Sequence, residues 1–230
     1  IMRIQGIVLL LLGAFMASSS LQAQTMSTQY QEVAGGYALL YHGELEAGYP
    51  YGYYANTPYA NEYTKGKVVF NGVLYTDVPF RLDCYTRRVV MQSPGGKFNV
   101  KLDPVEIPRL TMGKWDYVWL TKKEGSPEDT YYLVLFEGTG WALYKQYYVS
   151  NISKVYVDGL SKQKFSLKER VWLRKGNKWI VMDGRNDFIS RFKEYKAQLK
   201  KFCADEKLRP NERREEDWVK LAAYCETLAK

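Results

Sequence analysis

Histidine and cysteine are scarce in this sequence, and their scarcity excludes several kinds of site. His42 is the only histidine in 230 residues, so a histidine-rich zinc site cannot be built. The three cysteines are too few for a disulfide framework, and none belongs to a Cys-x-x-Cys pair. Phosphate-binding glycine loops and the Gly-x-Ser-x-Gly nucleophile motif are also missing. The sequence therefore predicts no metal, no cofactor and no standard catalytic motif.

Two weaker catalytic options remain. His42 has Glu44 and Glu46 nearby in sequence and could act as a general base, although a surface or hydrogen-bonded histidine fits the same pattern. Acidic side chains could also serve glycoside hydrolysis if two of them faced each other across a cleft; the candidates are Asp77, Asp83, Glu124, Glu128 and Asp129. We expect structural ion pairs instead, because arginines stand close by in sequence.

Long apolar runs are missing after the first residues of the chain. Arg3 precedes an apolar stretch at residues 6–17, and small and polar residues follow it. This order is typical of a secretory signal peptide over residues 1–24, with cleavage expected after Ala23. No later run is apolar for long enough to cross a bilayer. We expect an exported protein that lies outside the cytoplasm, with no transmembrane segment in the mature chain.

The charge balance is basic, with 33 Lys and Arg against 25 Asp and Glu. Such a surplus favours anionic neighbours or simply a soluble basic surface. In an exported protein, the anionic neighbours would be envelope lipids or glycans, and we expect no nucleic acid partner.

From Lys65 onward, short runs of aromatic and β-branched residues alternate with turn signals. Asn71-Gly72, Asp158-Gly159 and Gly176-Asn177 are typical turns between antiparallel strands, because glycine, asparagine and aspartate tolerate a positive φ. The runs predict about ten strands over residues 65–184. We predict an α+β fold built mainly on an antiparallel β meander, as a curled sheet, sandwich or partial barrel.

The final segment, residues 185–230, has helical periodicity. Apolar residues recur three or four positions apart in two series, which are Phe188, Phe192, Tyr195, Leu199 and Phe202, and then Trp218, Leu221, Cys225 and Leu228. This predicts an antiparallel helical pair with Asp187 as the first N-cap. In an antiparallel pair, Cys203 and Cys225 would lie at different heights along the two helices, at or beyond the reach of a disulfide. We therefore expect free thiols.

Four lysines form a stripe beside the apolar seam of the first predicted helix, namely Lys193, Lys196, Lys200 and Lys207. The stripe could meet an anionic membrane surface. Acidic residues interrupt it, and a solvated helix face is the interpretation that we favour.

Tyrosine is concentrated in an irregular segment, residues 25–64. Residues 49–63, the tyrosine segment below, carry six tyrosines, which are Tyr49, Tyr51, Tyr53, Tyr54, Tyr59 and Tyr63. They are our candidate ligand or partner surface, since exposed rings at a groove can stack on sugars. The alternative, which we favour, is a covering segment whose rings pack inward while the hydroxyls reach polar partners or water.

Residues 70–92 contain an Asn-Gly turn at Asn71-Gly72, followed by Tyr75, Arg81, Asp83 and Tyr85. This stretch and the lysine-rich terminal segment resemble exported β-rich proteins of Bacteroidetes-type bacteria that have no assigned activity. Cys84 departs from the pattern, which has a polar or aromatic residue there. The resemblance implies an envelope location, in the periplasm or at the cell surface of a Gram-negative bacterium. It also implies a β-rich domain, and it implies nothing catalytic.

The sequence thus predicts a non-enzymatic envelope protein that acts by binding or assembly, with an envelope protein, glycan or lipid as partner. One alternative is a periplasmic carrier that holds a lipid or other apolar ligand inside a curled sheet. A weaker alternative is a glycan-active hydrolase.

Overall fold

The main feature of the computed structural model is one large antiparallel sheet, and residues 40, 43–50, 52–93 and 96–229 are described. Its strands are β1 (Gly43–Glu46), β2 (Thr64–Phe70), β3 (Val73–Asp83), β4 (Arg88–Gln92), β5 (Asn99–Leu102), β6 (Arg109–Met112), β7 (Trp115–Leu120), β8 (Thr130–Glu137), β9 (Trp141–Val157), β10 (Leu160–Lys175) and β11 (Lys178–Met182). The helices that follow are α1 (Arg185–Arg191), α2 (Lys196–Asp205) and α3 (Glu215–Leu228). The expected signal peptide, His42 and Tyr51 lie outside the described residues.

The strand order is β1-β5-β4-β3-β2-β6-β7-β8-β9-β10-β11, and every neighbouring pair is antiparallel. Two meanders, β2 to β5 and β6 to β11, therefore join where β2 pairs with β6. The sheet is not closed, since β1 and β11 are its two edges. These observations confirm the predicted α+β class. The described part of the chain has eleven strands rather than about ten, because β1 lies within the segment that shows no periodicity in sequence.

The helical segment differs from the prediction in two details. The first predicted helix is broken, because Phe192 separates α1 from a short 3-10 turn and α2 with non-helical backbone angles (φ −125°, ψ 62°). Its ring packs 5.0 Å from that of Trp141. Asp187 is not the N-cap; Gly184 holds that position, and Asp187 lies in the first turn, where it pairs with Arg191.

The helices dock on one face of the sheet, next to alternate residues of β9. Trp141 donates a hydrogen bond from Nε1 to Glu226 Oε2 of α3 at 2.9 Å. Four residues farther along β9, the ammonium group of Lys145 lies 2.5 Å from Glu169 Oε2 of β10 and also contacts Glu215 at the start of α3. The Lys145 side chain is only 2 % exposed. The buried Lys145, held between two partly exposed glutamates, thus ties α3 to the sheet.

The opposite face carries a second cluster, in which Tyr132, Ala142, Tyr144 and Trp172 are buried among one another and against Trp179. Successive side chains of β9 point to opposite faces of the sheet. Trp141 and Lys145 therefore contact the helices, whereas Ala142 and Tyr144 point to the other face.

The core is filled around its largest side chains. Large side chains from separate strands and helices have no accessible surface, among them Phe80, Met91, Tyr131, Leu143 and Trp218. A water-sized void beside any of them would expose some of its atoms. The three cysteines are buried free thiols, as the sequence predicted.

Candidate ligand-binding cleft

The tyrosine segment pairs with the outer part of β10. Ala55 donates its N–H to the Gln163 carbonyl at 2.8 Å, and Gln163 donates to the Tyr53 carbonyl at 2.9 Å. Asn56 extends this contact with its side chain, which donates to the Phe165 carbonyl and accepts from the Phe165 N–H, at 2.9 and 2.8 Å. The segment therefore forms an isolated parallel bridge to β10 beyond the reach of β11.

The same segment also pairs with the end of β3. Cys84 donates its N–H to the Pro58 carbonyl at 3.0 Å, and Ala60 donates to the Leu82 carbonyl at 2.9 Å. Ala55, bound to β10, and Pro58 are only three residues apart, so their Cα atoms are separated by at most about 11 Å. The sheet must curl strongly to bring β3 and β10 this close, because six strand steps separate them in its order.

Tyr49 and Tyr59 are held by buried carboxylates. The Tyr49 hydroxyl donates to Asp83 Oδ2 at 2.9 Å, and Asp83 has no accessible surface. The Tyr59 hydroxyl donates to Glu46, which also accepts from Arg81 at 3.2 Å. Burial raises the pKa of both phenols, and the neighbouring carboxylates raise them further. Both tyrosines thus remain neutral hydrogen-bond donors.

Arg81 lies across two rings of the segment. Its guanidinium carbon is 3.4 Å from the centre of the Tyr59 ring and 4.3 Å from that of Tyr63. Burial raises the pKa of Tyr63 to about 12. These cation–π contacts fix the end of the segment on β3.

The remaining described tyrosines of the segment differ in exposure. Tyr54 stacks on Phe165 of β10 with the ring centres 5.1 Å apart, and Tyr49 meets both rings edge-on. Tyr53 is 73 % exposed. Four of the five described tyrosines are therefore engaged with the sheet, and Tyr53 faces solvent.

A cleft of about 660 Å³ opens beside this aromatic cluster. It lies between the β3–β4 turn, the β7–β8 connection and the long β9–β10 hairpin. Its lining combines aromatic rings, two arginines, one carboxylate and amide or hydroxyl groups, from Cys84, Tyr85, Arg87, Glu128, Gln146, residues 148–152 and Arg170. Tyr85 links the cleft to the tyrosine segment, since its ring centre is 6.5 Å from that of Tyr49.

One wall of the cleft is a strand edge. Strand β8 pairs with β9 only over residues 142–145, whereas β10 follows β9 along its whole length. Within the described residues, no strand pairs with the other edge of β9 over residues 146–157. This edge is about 40 Å long at the usual rise per residue, and residues 148–152 line the cleft consecutively.

Two arginines set the charge of the cleft. Arg87 Nη1 lies 2.8 Å from Glu128 Oε2, and Arg170 Nη2 donates to the Tyr148 hydroxyl at 3.0 Å. The Arg170 guanidinium also lies over the ring of Tyr148, 4.6 Å from its centre. Because Glu128 offsets only one of the two arginines, the cleft has one surplus positive charge.

The acidic residues considered for glycoside hydrolysis do not form a free pair in this cleft. Asp83 accepts from Tyr49 and from the Tyr85 and Thr86 N–H groups, and Asp77 is exposed beside Lys65. The others serve the β7–β8 connection, where Glu124 accepts from the Thr121 N–H, Asp129 accepts from the Lys122 N–H, and Glu128 pairs with Arg87. Glu128 is the only carboxylate among the described lining residues.

Sequence reasoning missed most residues of the cleft. Tyr148 and Arg170 belong to strands that the sequence pattern predicted. The pattern does not show which edge of a strand stays unpaired, because that depends on where the neighbouring strands end. A usable signal existed in residues 152–157, where Ile152, Val155, Tyr156 and Val157 have high β propensity and precede the Asp158-Gly159 turn. These residues extend the hairpin well beyond the aromatic runs.

None of the helices within the described chain is long and apolar enough to cross a lipid bilayer. Comparisons with models of protein families, with curated proteins and with solved structures found no match.

Proposed function

We propose that this chain is a non-enzymatic binding protein of the bacterial cell envelope, which holds an extended polypeptide segment of an envelope partner along β9. The observation that carries the proposal is the free edge of β9, because residues 148–152 form one wall of the cleft. A strand edge offers N–H and C=O groups at the spacing of a peptide backbone, and an extended peptide can add to it as a further strand.

The side chains around this edge favour a segment that carries both carboxylates and apolar residues. The surplus positive charge from Arg87 and Arg170 suits Asp, Glu or a free C-terminal carboxylate. Tyr148 and Ile152 flank a β-bulge at Ser150, which places them on opposite faces of β9, and they offer apolar surface to ligand side chains on both of these faces. An acidic peptide of alternating character would satisfy both requirements.

The test is fluorescence anisotropy with a labelled, end-capped octapeptide of alternating valine and glutamate. We expect saturable binding, and we expect methylation of alternate backbone nitrogens to weaken it at least about tenfold, because two or more hydrogen bonds are lost. Equal binding of the methylated peptide would show that backbone pairing is not the mode of recognition.

A charge reversal at Arg87 tests the place of binding. The Arg87→Glu variant should weaken binding about 3- to 30-fold, since it replaces an attraction by a repulsion at a half-exposed site. Arg109→Glu is the matched control: Arg87 and Arg109 are 46 % and 47 % exposed, and each pairs with a glutamate at 2.8 Å. An equal loss of affinity in both variants would show that the peptide binds elsewhere, or that only the net charge of the protein affects binding.

The two alternative functions are less well supported by the described geometry. A carrier needs interior space, whereas Phe80, Met91, Tyr131 and Leu143 have no accessible surface. A glycan site has one favourable feature, the half-exposed ring of Tyr85 at the mouth of the cleft. Binding of an oligogalacturonate that is lost in Tyr85→Ala, with no binding of the octapeptide, would replace the peptide proposal by a glycan one.

A further inference from the structure

A second concave surface lies on the helices, away from the strands that line the cleft. This groove of about 470 Å³ is lined by Asn186, Ile189, Ser190, Lys193, Lys196 and Lys200. The floor is apolar, since Ile189 is buried and the lysines contribute their methylene stems. The sequence showed the lysines as part of an ordinary helix face, whereas the structure arranges three of them around a groove.

The three lysines have no salt bridge among the described residues. The nearby Asp187 is already engaged with Arg191 at 3.1 Å, and Glu194 is the one other acidic residue in 185–200, against five basic residues. All three lysines are exposed. The groove therefore combines an apolar floor with a rim of uncompensated positive charge.

We propose that this groove docks the protein on an anionic lipid surface, with the lysines on the lipid phosphates and the groove against the first carbons of the acyl chains. Lysine stems and ammonium groups suit this boundary, because the stem lies in apolar surroundings while the charge stays at the headgroups. A second copy of the chain is a poor occupant, since it would bring two sets of lysines together. The proposal is independent of the β9 cleft.

The experiment is cosedimentation of the purified protein with phosphatidylcholine vesicles, with and without phosphatidylglycerol. We expect binding only to the vesicles that contain phosphatidylglycerol. The triple variant K193E/K196E/K200E should lower the partition coefficient at least about 100-fold, because each lysine near an anionic surface contributes roughly a factor of five.

The matched control carries the same change of charge on the β9–β10 hairpin. Lys154, Lys164 and Lys168 are exposed like the groove lysines and do not line either concave surface. K154E/K164E/K168E should retain most of the binding, and circular dichroism should show both triple variants folded.

Three results of the cosedimentation would overturn the proposal. These are equal losses in the two triple variants, binding to pure phosphatidylcholine at the same level, and no binding to either vesicle. Free glycerol phosphate, at the same phosphate concentration, should not release the protein from the vesicles. Release would assign the lysines to a soluble phosphate compound instead of a membrane.

Discussion

Replacing Lys145 by methionine should destabilise the fold by about 3 kcal/mol. Lys145 is 2 % exposed and lies between Glu169 and Glu215, whose side chains are 30 % and 22 % exposed. Methionine keeps most of the volume but leaves two partly buried carboxylates facing each other. Breaking a fully buried ion pair costs about 3 to 5 kcal/mol, and partial exposure of both glutamates places this case at the lower end. That is a large part of the 5 to 15 kcal/mol typical of a domain.

The assay is urea unfolding at neutral pH, followed by tryptophan fluorescence. Lys114→Met is the matched control, because Lys114 contacts Glu216, the residue next to Glu215 in α3, in an exposed pair. Its unfolding midpoint should stay close to that of the wild type. Adding Glu215→Gln to Lys145→Met should restore part of the lost stability, since it removes one of the two unpaired charges.

An unfolding midpoint for Lys145→Met equal to that of Lys114→Met would refute this reasoning. So would a double variant less stable than Lys145→Met alone, because repulsion between the two carboxylates would then not be the source of the loss.

Three further predictions concern the tyrosines and the thiols. Tyr49→Phe should lower the free energy of unfolding by about 1 to 2 kcal/mol through the lost bond to Asp83, while Tyr53→Phe, at an exposed site, should leave it unchanged. The pKa of Tyr63 is raised from 10.0 to about 12. The contribution of Tyr63 to stability should therefore be full below pH 10 and fall as the pH rises toward 12, since only the unfolded chain then releases the proton. Urea titrations should show a smaller fall in stability for Tyr63→Phe than for the wild type. Ellman's reagent should find no reactive thiol in the folded protein and three in urea, since all three thiols are buried and burial raises the pKa of Cys225 to about 12. Rapid labelling of the folded protein would contradict this expectation.

The local features of the fold could be predicted from the sequence because their signals are local. Asn71-Gly72 has φ angles of 50° and 76°, which these two residues adopt at little cost, and the turn joins β2 to β3 as expected. Asp158-Gly159 joins β9 to β10 in the same way. The apolar spacing also predicted helices after the sheet, although it did not show the break at Phe192.

The cleft could not be predicted because its parts are far apart in the chain. Asn56 contacts Phe165, 109 residues away, and nothing in the periodicity of either segment specifies that pair. Tyr85 and Tyr148 look like ordinary strand or turn residues until the curl of the sheet brings them to one cleft. The free edge of β9 depends on where β8 ends, which residue patterns locate only within a few positions.

The double attachment of the tyrosine segment also has a consequence for the order of folding. The β9–β10 hairpin closes through the two-residue turn Asp158-Gly159 and can form early, because its contacts are local. The bond from Asn56 to Phe165 closes a loop of more than a hundred residues and carries a larger entropic cost. The chain should therefore complete its strands first and attach the tyrosine segment late. Until that step, its aromatic rings stay exposed to solvent and to chaperones, and the cleft lacks the support of its neighbouring aromatic cluster.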